Sequence, residues 1–285
     1  MSKEELIEVF EDTKKKYETS FKKQTNEAIE ETEFYNFDGG IKIQMPYMSY
    51  DTHCKILVTN TDTLSAAAKY APHGGGDDDP NYDNVVGVLK LASATNPGGG
   101  VIKGSSAQEE CICRCTNLYP ALAQKYCMNE YYLKNRKSGT NLGSNNIIYT
   151  PNVLVFKDKN YNMLTTDEMF YTDVITCAAP NLRDNPVNAF NADAPSKKLE
   201  LDDASLYNIH CNRARNIFQV AVDGNVSHII VGAFGCGAFK NNPYVVAKAW
   251  KDTAEAFKQY FNVIEFAIVG NNSNYDIFKN IILGK

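Results

Sequence analysis

Apolar residues follow two different spacings along the chain, and the change falls near residue 54. Over residues 3–33, apolar positions recur at helical intervals among Glu and Lys, namely Leu6, Val9, Phe10, Phe21 and Ile29. This spacing predicts one or two amphipathic helices. From residue 54 onward, short apolar runs alternate with helical patterns. Such alternation predicts an α/β fold with a mainly parallel or mixed sheet and helices on both faces.

The predicted strands are short apolar runs bounded by turn-forming residues: KILVTN (55–60), VVGVLKLAS (85–93), NVLVFKD (152–158), YTDVITCAA (171–179), HIIVGAF (228–234) and VIEFAIVG (263–270). Helical patterns lie between them, at 63–71, 108–115, 117–132, 204–222 and 243–261. We expect accessory helices over residues 1–40, packed on one globular domain over residues 41–285.

Length, charge and cysteine usage narrow the class of protein. The chain has 285 residues, a net charge of −5 and a pI near 5.5, which gives no basic footprint for direct DNA binding. We find no secretory signal and no run of about 18 apolar residues, and therefore expect an intracellular, cytoplasmic monomer, or a nuclear one in a eukaryotic cell. The eight scattered cysteines are expected to be reduced.

No metal site is predicted. Cys111, Cys113 and Cys115 are closely spaced, but on a helix only Cys111 and Cys115 share a face, so buried structural thiols are the better interpretation. The aspartates of HGGGDDDPNYDN (73–84) lack the spaced ligands of a calcium loop and favour a solvated insertion. A further loop over 181–198 follows a predicted strand, and it is either a lid or a surface loop.

Two glycine-rich loops follow predicted strands. The first, NPGGG (96–100), leads to a helix that we expect to begin near Ser106. The second, GAFGCGAFKNNP (232–243), precedes a helix with Pro243 in its first turn and Asn242 as its cap. Glycines let backbone N–H groups approach a ligand closely, and a helix N-terminus favours anions. Together these loops predict a cleft for a small molecule that carries phosphate.

Two adjacent carboxylates follow the first loop. Glu109 has capping-box spacing from Ser106 and could serve only to close the helix, whereas Glu110 has no helical role that needs a carboxylate. Adjacent helical residues cannot flank one bond from opposite faces, as the usual pair of glycosidase acids does. If the chemistry is glycoside cleavage, one glutamate must protonate the leaving oxygen and then activate water, while its neighbour holds sugar hydroxyls. A helix N-terminus favours the ionised form, whereas enclosure by substrate raises a carboxyl pKa.

The motifs ASATNPGGG, AQEE, CRCTNLYPAL, DVITCAAPN and GAFGCGAFKNNP occur in the order found in one family. With them, the sequence resembles the bacterial-type poly(ADP-ribose) glycohydrolases, a branch of the macrodomain fold. KKQTNEAIEETEFY and TNTDTLSAA extend the resemblance through most of the chain. It implies a three-layer α/β/α macrodomain with a central mixed sheet. It also implies a metal-independent, cofactor-free hydrolase that binds ADP-ribose and cuts the ribose–ribose bond of poly(ADP-ribose), including polymer on ADP-ribosylated proteins.

The resemblance also assigns roles to residues. Glu110 would be the acid and then the base, while Glu109 and Gln108 orient the reacting ribose. The substrate-binding residues would be Asn96, Gly98, Gly99, Gly100 and Val101 on one side and Gly235, Cys236, Gly237, Ala238, Phe239 and Lys240 on the other. Of these, Gly235 to Ala238 would hold the diphosphate, and Phe239 would pack on a ribose unless it is a core residue.

Three features depart from the family pattern. Lys240 replaces the usual glycine, Asp77 to Asp79 form an unfamiliar acidic insertion, and the tyrosine-bearing clasp of the animal enzymes is not identifiable. We therefore expect cleavage from the chain end. The alternatives are a binding module that does not cut ADP-ribose and a hydrolase that removes single ADP-ribose units.

Overall fold

The computed structural model describes residues 1–46, 54–73, 83–270 and 273–284. Asp77 to Asp79 lie outside the described residues. The helices are α1 (Lys3–Glu18), α2 (Lys22–Glu30), α3 (Thr63–Ala67), α4 (Gln108–Cys115), α5 (Leu118–Ala123), α6 (Lys125–Cys127), α7 (Leu133–Lys137), α8 (Asp203–Asp223), α9 (Pro243–Phe257) and α10 (Ser273–Leu283). Turns of 3₁₀-helix are Val101–Lys103 and Lys258–Tyr260, and Met128–Tyr132 is a π-helical turn.

Seven strands form one mixed sheet: β1 (Glu33–Tyr35), β2 (Lys55–Thr59), β3 (Val86–Ala92), β4 (Ile147–Val155), β5 (Phe170–Ala178), β6 (His228–Val231) and β7 (Val263–Ala267). Their order is β1-β4-β5-β3-β6-β7-β2. The five strands from β5 to β2 are parallel, whereas β4 is antiparallel to both β1 and β5. The predicted mixed sheet is confirmed.

Apolar side chains bury both faces of this sheet. On one face, residues of α8, α9 and α10 such as Phe218, Trp250 and Phe278 pack in a single cluster with the sheet. On the other face, Phe10 of α1 and Ile112 of α4 belong to a second cluster, together with residues of α3 and α5. Parallel strands covered on both sides read as nearly continuous apolar runs, which is the pattern that the sequence shows. The predicted three-layer α/β/α arrangement is confirmed.

Two details of the sheet differ from the sequence prediction. β4 begins at Ile147, five residues before the predicted run, because Pro151 and Asn152 form a β-bulge between Thr150 and Val153 instead of a turn. β1 was not predicted, and it pairs with β4 although it lies within the first 40 residues. The division of the chain at residue 40 stays a proposal.

Helix α1 is attached to the segment that follows the first glycine loop. Arg114 of α4 is fully buried, and its guanidinium donates from Nε to the carbonyl of Leu6 (3.0 Å) and from Nη2 to the carbonyl of Val101 (3.3 Å). Thr13 returns a hydrogen bond to the carbonyl of Arg114 at 2.6 Å. The first helix therefore supports the loop and α4 from behind.

All eight cysteines are free thiols, as predicted. Cys113 and Cys115 are buried, and Cys111 is half-buried. Burial raises the pKa of each of these three thiols. Within the described residues, no helix combines the length and the apolar character needed to cross a membrane.

Candidate active site

The sheet order brings the two glycine loops to one edge. β3 and β6 are parallel neighbours, paired from Val86↔His228 to Val88↔Ile230, so both strands end at the same side of the sheet. The first loop leaves β3 and the second leaves β6. The carboxyl edge of parallel strands is where α/β sheets bind ligands. The two loops therefore start from the same edge of the sheet, but only the second lines the large cavity described below; residues 96–101, Glu109 and Glu110 do not.

The first loop needs its glycines for the protein's own side chains. Gly98 and Gly99 have φ values of +63° and +62°, a region that disfavours residues with a Cβ. A Cβ on Gly99 would contact the carboxylates of Glu110 and Glu109, with Glu109 Oε2 at 2.7 Å. A Cβ on Gly100 would lie 2.9 Å from the ring of Phe190. The absence of side chains thus makes room for both glutamates beside the backbone.

Glu109 does not cap helix α4. The helix begins at Gln108, within two residues of the predicted start near Ser106, but its N-cap residue Ala107 makes no side-chain hydrogen bond, so the capping alternative is wrong. Instead, Glu109 Oε1 accepts a hydrogen bond from Lys90 Nζ, and Oε2 accepts one from the Ser93 amide at 2.7 Å. Burial raises the pKa of Glu109 to about 7, while the charge of Lys90 acts in the opposite direction.

Glu110 has one fixed and one unused carboxylate oxygen. Its Oε1 accepts a hydrogen bond from the Gly100 amide at 2.8 Å. Its Oε2 is buried, and no hydrogen-bond partner reaches it among the described residues. The residue is only 5 % exposed. A buried polar oxygen without a partner is costly in a folded protein and is typical of a functional group.

Gln108 is held at both ends of its amide. Oε1 accepts from the Leu91 amide at 2.9 Å, and Nε2 donates to the Leu89 carbonyl at 2.8 Å and to the Thr63 hydroxyl at 3.0 Å. These bonds fix the start of α4 against β3. Gln108 also lines the large cavity described below, so its side chain forms part of the cavity wall.

The second loop is shaped by left-handed glycine and by a buried asparagine. Gly235 has φ +78°, and a Cβ there would lie 2.6 Å from Ala179 Cβ. Asn241 donates from Nδ2 to the carbonyls of Pro180 (2.7 Å) and Phe239 (3.1 Å). The following helix α9 has Pro243 in its first turn and is capped by Asn242, as predicted.

His210 holds Asn241 and makes the loop sensitive to pH. Because the amide nitrogen of Asn241 donates elsewhere, its Oδ1 accepts from His210 Nε2 at 2.8 Å. The other ring nitrogen, Nδ1, is buried without a partner among the described residues. A second proton on the ring would therefore be placed where nothing accepts it. Burial lowers the pKa of His210 to about 4, and the charge of Arg213 adds to this effect.

We expect His210 to remove stability below about pH 6.5, the usual histidine value. Between that value and about 4 the unfolded chain binds a proton at His210 that the native state refuses, so the contribution of His210 to the free energy of unfolding falls by roughly 1.4 kcal/mol for each unit by which the pH falls. The raised pKa of Glu109 acts in the opposite direction, so the effect of His210 is the difference between the parent protein and His210→Gln, which keeps a donor without titrating. Urea unfolding of both proteins at pH 7 and pH 5 measures this difference, and the parent should lose more stability than the variant over this range. Equal pH dependence in both proteins would contradict the assignment.

A cavity of about 670 Å³ lies along the carboxyl edge of the sheet. Its wall combines the second loop, one side of α4 and the turns after β2 and β7. These contributions are Asn60–Leu64, Gln108, Cys111, Ile112, Cys115, Ala233–Gly235, Gly237–Phe239 and Ala267–Val269. Lys159 and Tyr161 complete the far side. Sequence analysis missed the β2 and β7 turns and this last pair, although the parallel strand pattern was a signal for the first two. The volume suits a nucleotide-sized ligand.

Phe239 and Arg183 join the two halves of the site. Phe239 lines the large cavity, and Arg183 lies 5.2 Å from the centre of its ring while donating to the carbonyl of Ala238 at 2.6 Å. Burial lowers the pKa of Arg183, and the charge of Glu110 opposes this shift. Arg183 thus lies within electrostatic range of Glu110. It belongs to the 181–198 loop, whose alternatives were a lid or a surface loop.

The 181–198 loop packs on the first glycine loop. Asn191 Oδ1 accepts from Thr95 at 2.7 Å and from Asn96 at 3.1 Å, and Lys103 donates to the Ala189 carbonyl at 2.7 Å. Phe190 lies against Gly100. These contacts fix the 181–198 loop to the first glycine loop, and no residue of 181–198 lines the large cavity.

Several predicted site residues are placed otherwise than expected. Val101 is fully buried in the core, so its side chain does not reach the cavity. Asn96 is occupied by Asn191 and by Arg136 Nη2 at 3.1 Å. Cys236 packs against the core, and burial raises its pKa. Lys240 is exposed and left-handed at φ +61°, which explains why glycine suits this position.

Comparisons with known proteins agree with this geometry. A family model described as microbial-type PARG, catalytic domain, matches residues 3–158, which include both the glycine loop and the two glutamates. No curated protein matches the chain.

Solved structures of similar fold are poly(ADP-ribose) glycohydrolases. The enzyme from Deinococcus radiodurans in complex with ADP-ribose is 25% identical, with a TM-score of 0.73, and the alignment covers 91% of this chain and 97% of that one. The enzyme from Thermomonospora curvata is 23% identical, with a TM-score of 0.74 and coverage of 98% and 99%. The same enzyme bound to the inhibitor ADP-HPD is 23% identical, with a TM-score of 0.74 and coverage of 97% and 99%. Because the family model spans more than half of the chain and includes the residues that form the carboxylate site, the chain belongs to the family of microbial-type PARG catalytic domains.

Proposed function

We propose that the protein is a glycosidase that hydrolyses the ribose–ribose O-glycosidic bonds of poly(ADP-ribose) and releases ADP-ribose. Membership of the PARG family supports this activity. The observation that carries the mechanism is Glu110, which is buried beside the glycine loop with Oε1 fixed by the Gly100 amide and Oε2 unused among the described residues.

The substrate is bound through its diphosphate and nucleoside. Gly237, Ala238 and Phe239 of the second loop line the cavity, and Gly235 allows the backbone to turn there. The loop leads into the N-terminus of α9, which is the positive end of the helix dipole. Backbone N–H groups and a helix N-terminus suit the charge of a diphosphate. The D. radiodurans relative is solved with ADP-ribose, which supports this ligand. Arg183 adds a cation between the two loops.

Glu110 acts as acid and then as base. Its protonated Oε2 donates the proton to the glycosidic oxygen, and the C–O bond breaks with its electron pair moving to that oxygen. The anomeric carbon becomes an oxocarbenium-like centre. The carboxylate then takes a proton from water as the water oxygen bonds to that carbon. One buried carboxyl thus performs both proton transfers, since Glu109 is its neighbour on the same helix and cannot act from the opposite face.

Glu109 orients the reacting ribose. Its oxygens already accept from Lys90 and Ser93, and an ionised carboxylate keeps further lone pairs for sugar hydroxyls. Gln108 holds the start of α4 and forms the adjoining cavity wall. Binding and orientation by these neighbours contribute to the rate by placing the bond at Glu110.

Cleavage starts from the chain end. Phe190 and Asn191 close the side of the first loop next to Gly100 and Asn96, which favours entry of a terminal unit over passage of a continuous polymer. Product length is the test. The protein should release ADP-ribose monomers from the first minutes of digestion, and an early series of shorter oligomers would contradict this direction.

Digestion of purified polymer tests the proposed activity itself. ADP-ribose, separated by chromatography, should accumulate in proportion to the protein present. Tight binding of ADP-ribose by calorimetry with polymer left intact would overturn the proposal in favour of a binding module. Release from singly ADP-ribosylated protein, without release from polymer, would overturn it in favour of a mono-ADP-ribosyl hydrolase.

A further inference from the structure

Lys90 is a charged residue in the middle of a central strand. It belongs to β3, which is flanked by parallel strands on both sides, and its side chain is 0 % exposed. Burial of an ammonium group is costly unless a partner compensates its charge. The partner is Glu109, whose Oε1 accepts from Lys90 Nζ. An ion pair that is shielded from water therefore lies directly behind the catalytic carboxyl.

We propose that Lys90 is a positioning residue that holds Glu109 as a carboxylate beside Glu110. This inference rests on the proposed function. Neither Lys90 nor Glu109 lines the large cavity, and Lys90 acts through its direct contact with Glu109. With Glu109 ionised, its oxygens accept from the ribose hydroxyls beside Glu110.

The groups around Glu109 leave Lys90 as its main source of positive charge. The titratable or charged groups that face the pair from α4 and from the Met128–Tyr132 turn are Glu110, Cys113, Tyr131 and Tyr132. These groups are acids, and Glu110 raises the pKa of Glu109. The Ser93 amide is the other stabilising contact. Removal of the lysine charge therefore leaves nothing of comparable strength to keep Glu109 ionised.

The sign of the expected pH effect follows from this arrangement. Burial raises the pKa of Glu109 to about 7, and Lys90 lowers it. Activity that needs ionised Glu109 is lost as pH falls through this pKa. Loss of Lys90 raises the pKa further and moves the acidic limb of the pH profile to higher pH.

The pH profile of kcat/KM tests the proposal with Lys90→Gln and Lys90→Arg. The glutamine variant keeps a donor but no charge, and its acidic limb should move up by about one to three pH units. Its kcat should fall more than its affinity for ADP-ribose, because Glu109 contacts the reacting ribose and not the nucleotide. The arginine variant should restore a limb close to that of the parent protein. An unshifted limb in Lys90→Gln would overturn the proposal.

A double variant makes the result independent of whether Lys90→Gln folds. In Lys90→Gln/Glu109→Gln both buried charges are removed together. If Lys90 acts through Glu109, the double variant should have the same kcat as Glu109→Gln alone, since the effects of coupled residues are not additive. A double variant at least tenfold slower than Glu109→Gln would show another role and overturn the proposal.

Asp173→Asn is the matched control. Asp173 is also buried in the sheet, where it accepts from Tyr149 and from the Asn152 amide, but it lies in the first half of β5, away from the carboxyl edge. This variant should lose stability and keep the parent pH limb. The parent protein separates the two hypotheses: absence of ADP-ribose release from polymer refutes the proposed function, whereas an active parent with unchanged Lys90 profiles refutes only this inference.

Discussion

Glu110→Gln should release ADP-ribose from polymer about 10²–10⁴ times more slowly than the parent protein, because a general acid and base is lost. Glutamine preserves the size of the side chain, and its Oε1 can still accept from the Gly100 amide. It has no proton to give to the glycosidic oxygen and no negative charge with which to activate water. Initial rates of ADP-ribose release at several pH values measure the effect.

Binding of ADP-ribose serves as the control for this variant. Calorimetry should give an affinity within a few-fold of the parent, since Glu110 does not line the cavity that receives the nucleotide. Glu109→Gln in parallel should lose rate without abolishing the acid. Full turnover by Glu110→Gln would remove Glu110 from the mechanism, and lost binding together with lost rate would point to a collapsed site instead.

Gly99→Ala should lose activity by roughly 10²-fold, because a displacement of about 1 Å of a catalytic group can have this effect. The added methyl group would contact both carboxylates, and Glu109 Oε2 would lie 2.7 Å away. Either the glutamates move from Lys90 and the Gly100 amide, or the loop shifts. The left-handed φ of +62° adds a backbone cost of about 1–2 kcal/mol. Steady-state rates and thermal unfolding measure the two effects separately.

Gly139→Ala isolates the backbone cost. Gly139 has φ +70°, but a Cβ there would meet nothing within 4 Å. This variant should lose a similar amount of stability from the backbone term and keep its activity. If Gly99→Ala and Gly139→Ala were equally active, the crowding of the carboxylates at Gly99 would have no catalytic consequence.

The strands after residue 54 could be predicted because buried parallel strands produce distinct apolar runs. All six predicted runs overlap an observed strand, although β4 begins five residues before its run. β1 escaped prediction because Glu33–Tyr35 is only three residues long and carries no run of its own. Pro151 and Asn152 read as a turn, whereas pairing with β5 on both sides keeps them in one bulged strand. Tertiary pairing, which is absent from the local pattern, decided both cases.

The sequence pointed to the glycines and the two glutamates, but not to the contacts that explain why they are there. Glycines at 98–100 suggested close approach of a ligand, but the atoms nearest their missing side chains belong to Tyr119, Glu110 and Phe190. Lys90 could not be singled out, because a lysine within an apolar run gives no sign of its partner 19 residues later. Val101 was counted among the binding residues because it directly follows the glycines, but its side chain lies in the core. Contacts between distant segments cannot be read from spacing alone.

The amino-terminal helix helps to hold the first glycine loop, because the guanidinium of Arg114 hydrogen-bonds to both segments. Its charge has no acidic partner among the hydrogen bonds of the described residues, and it depends on the carbonyls of Leu6 and Val101. A protein shortened by its first helix would lose the Leu6 carbonyl together with the cover over the guanidinium, so the side chain that now joins α4 to the Val101 carbonyl could turn into water. A segment far from the reaction can thus be needed because its carbonyl groups replace the water that a buried cation would otherwise bind.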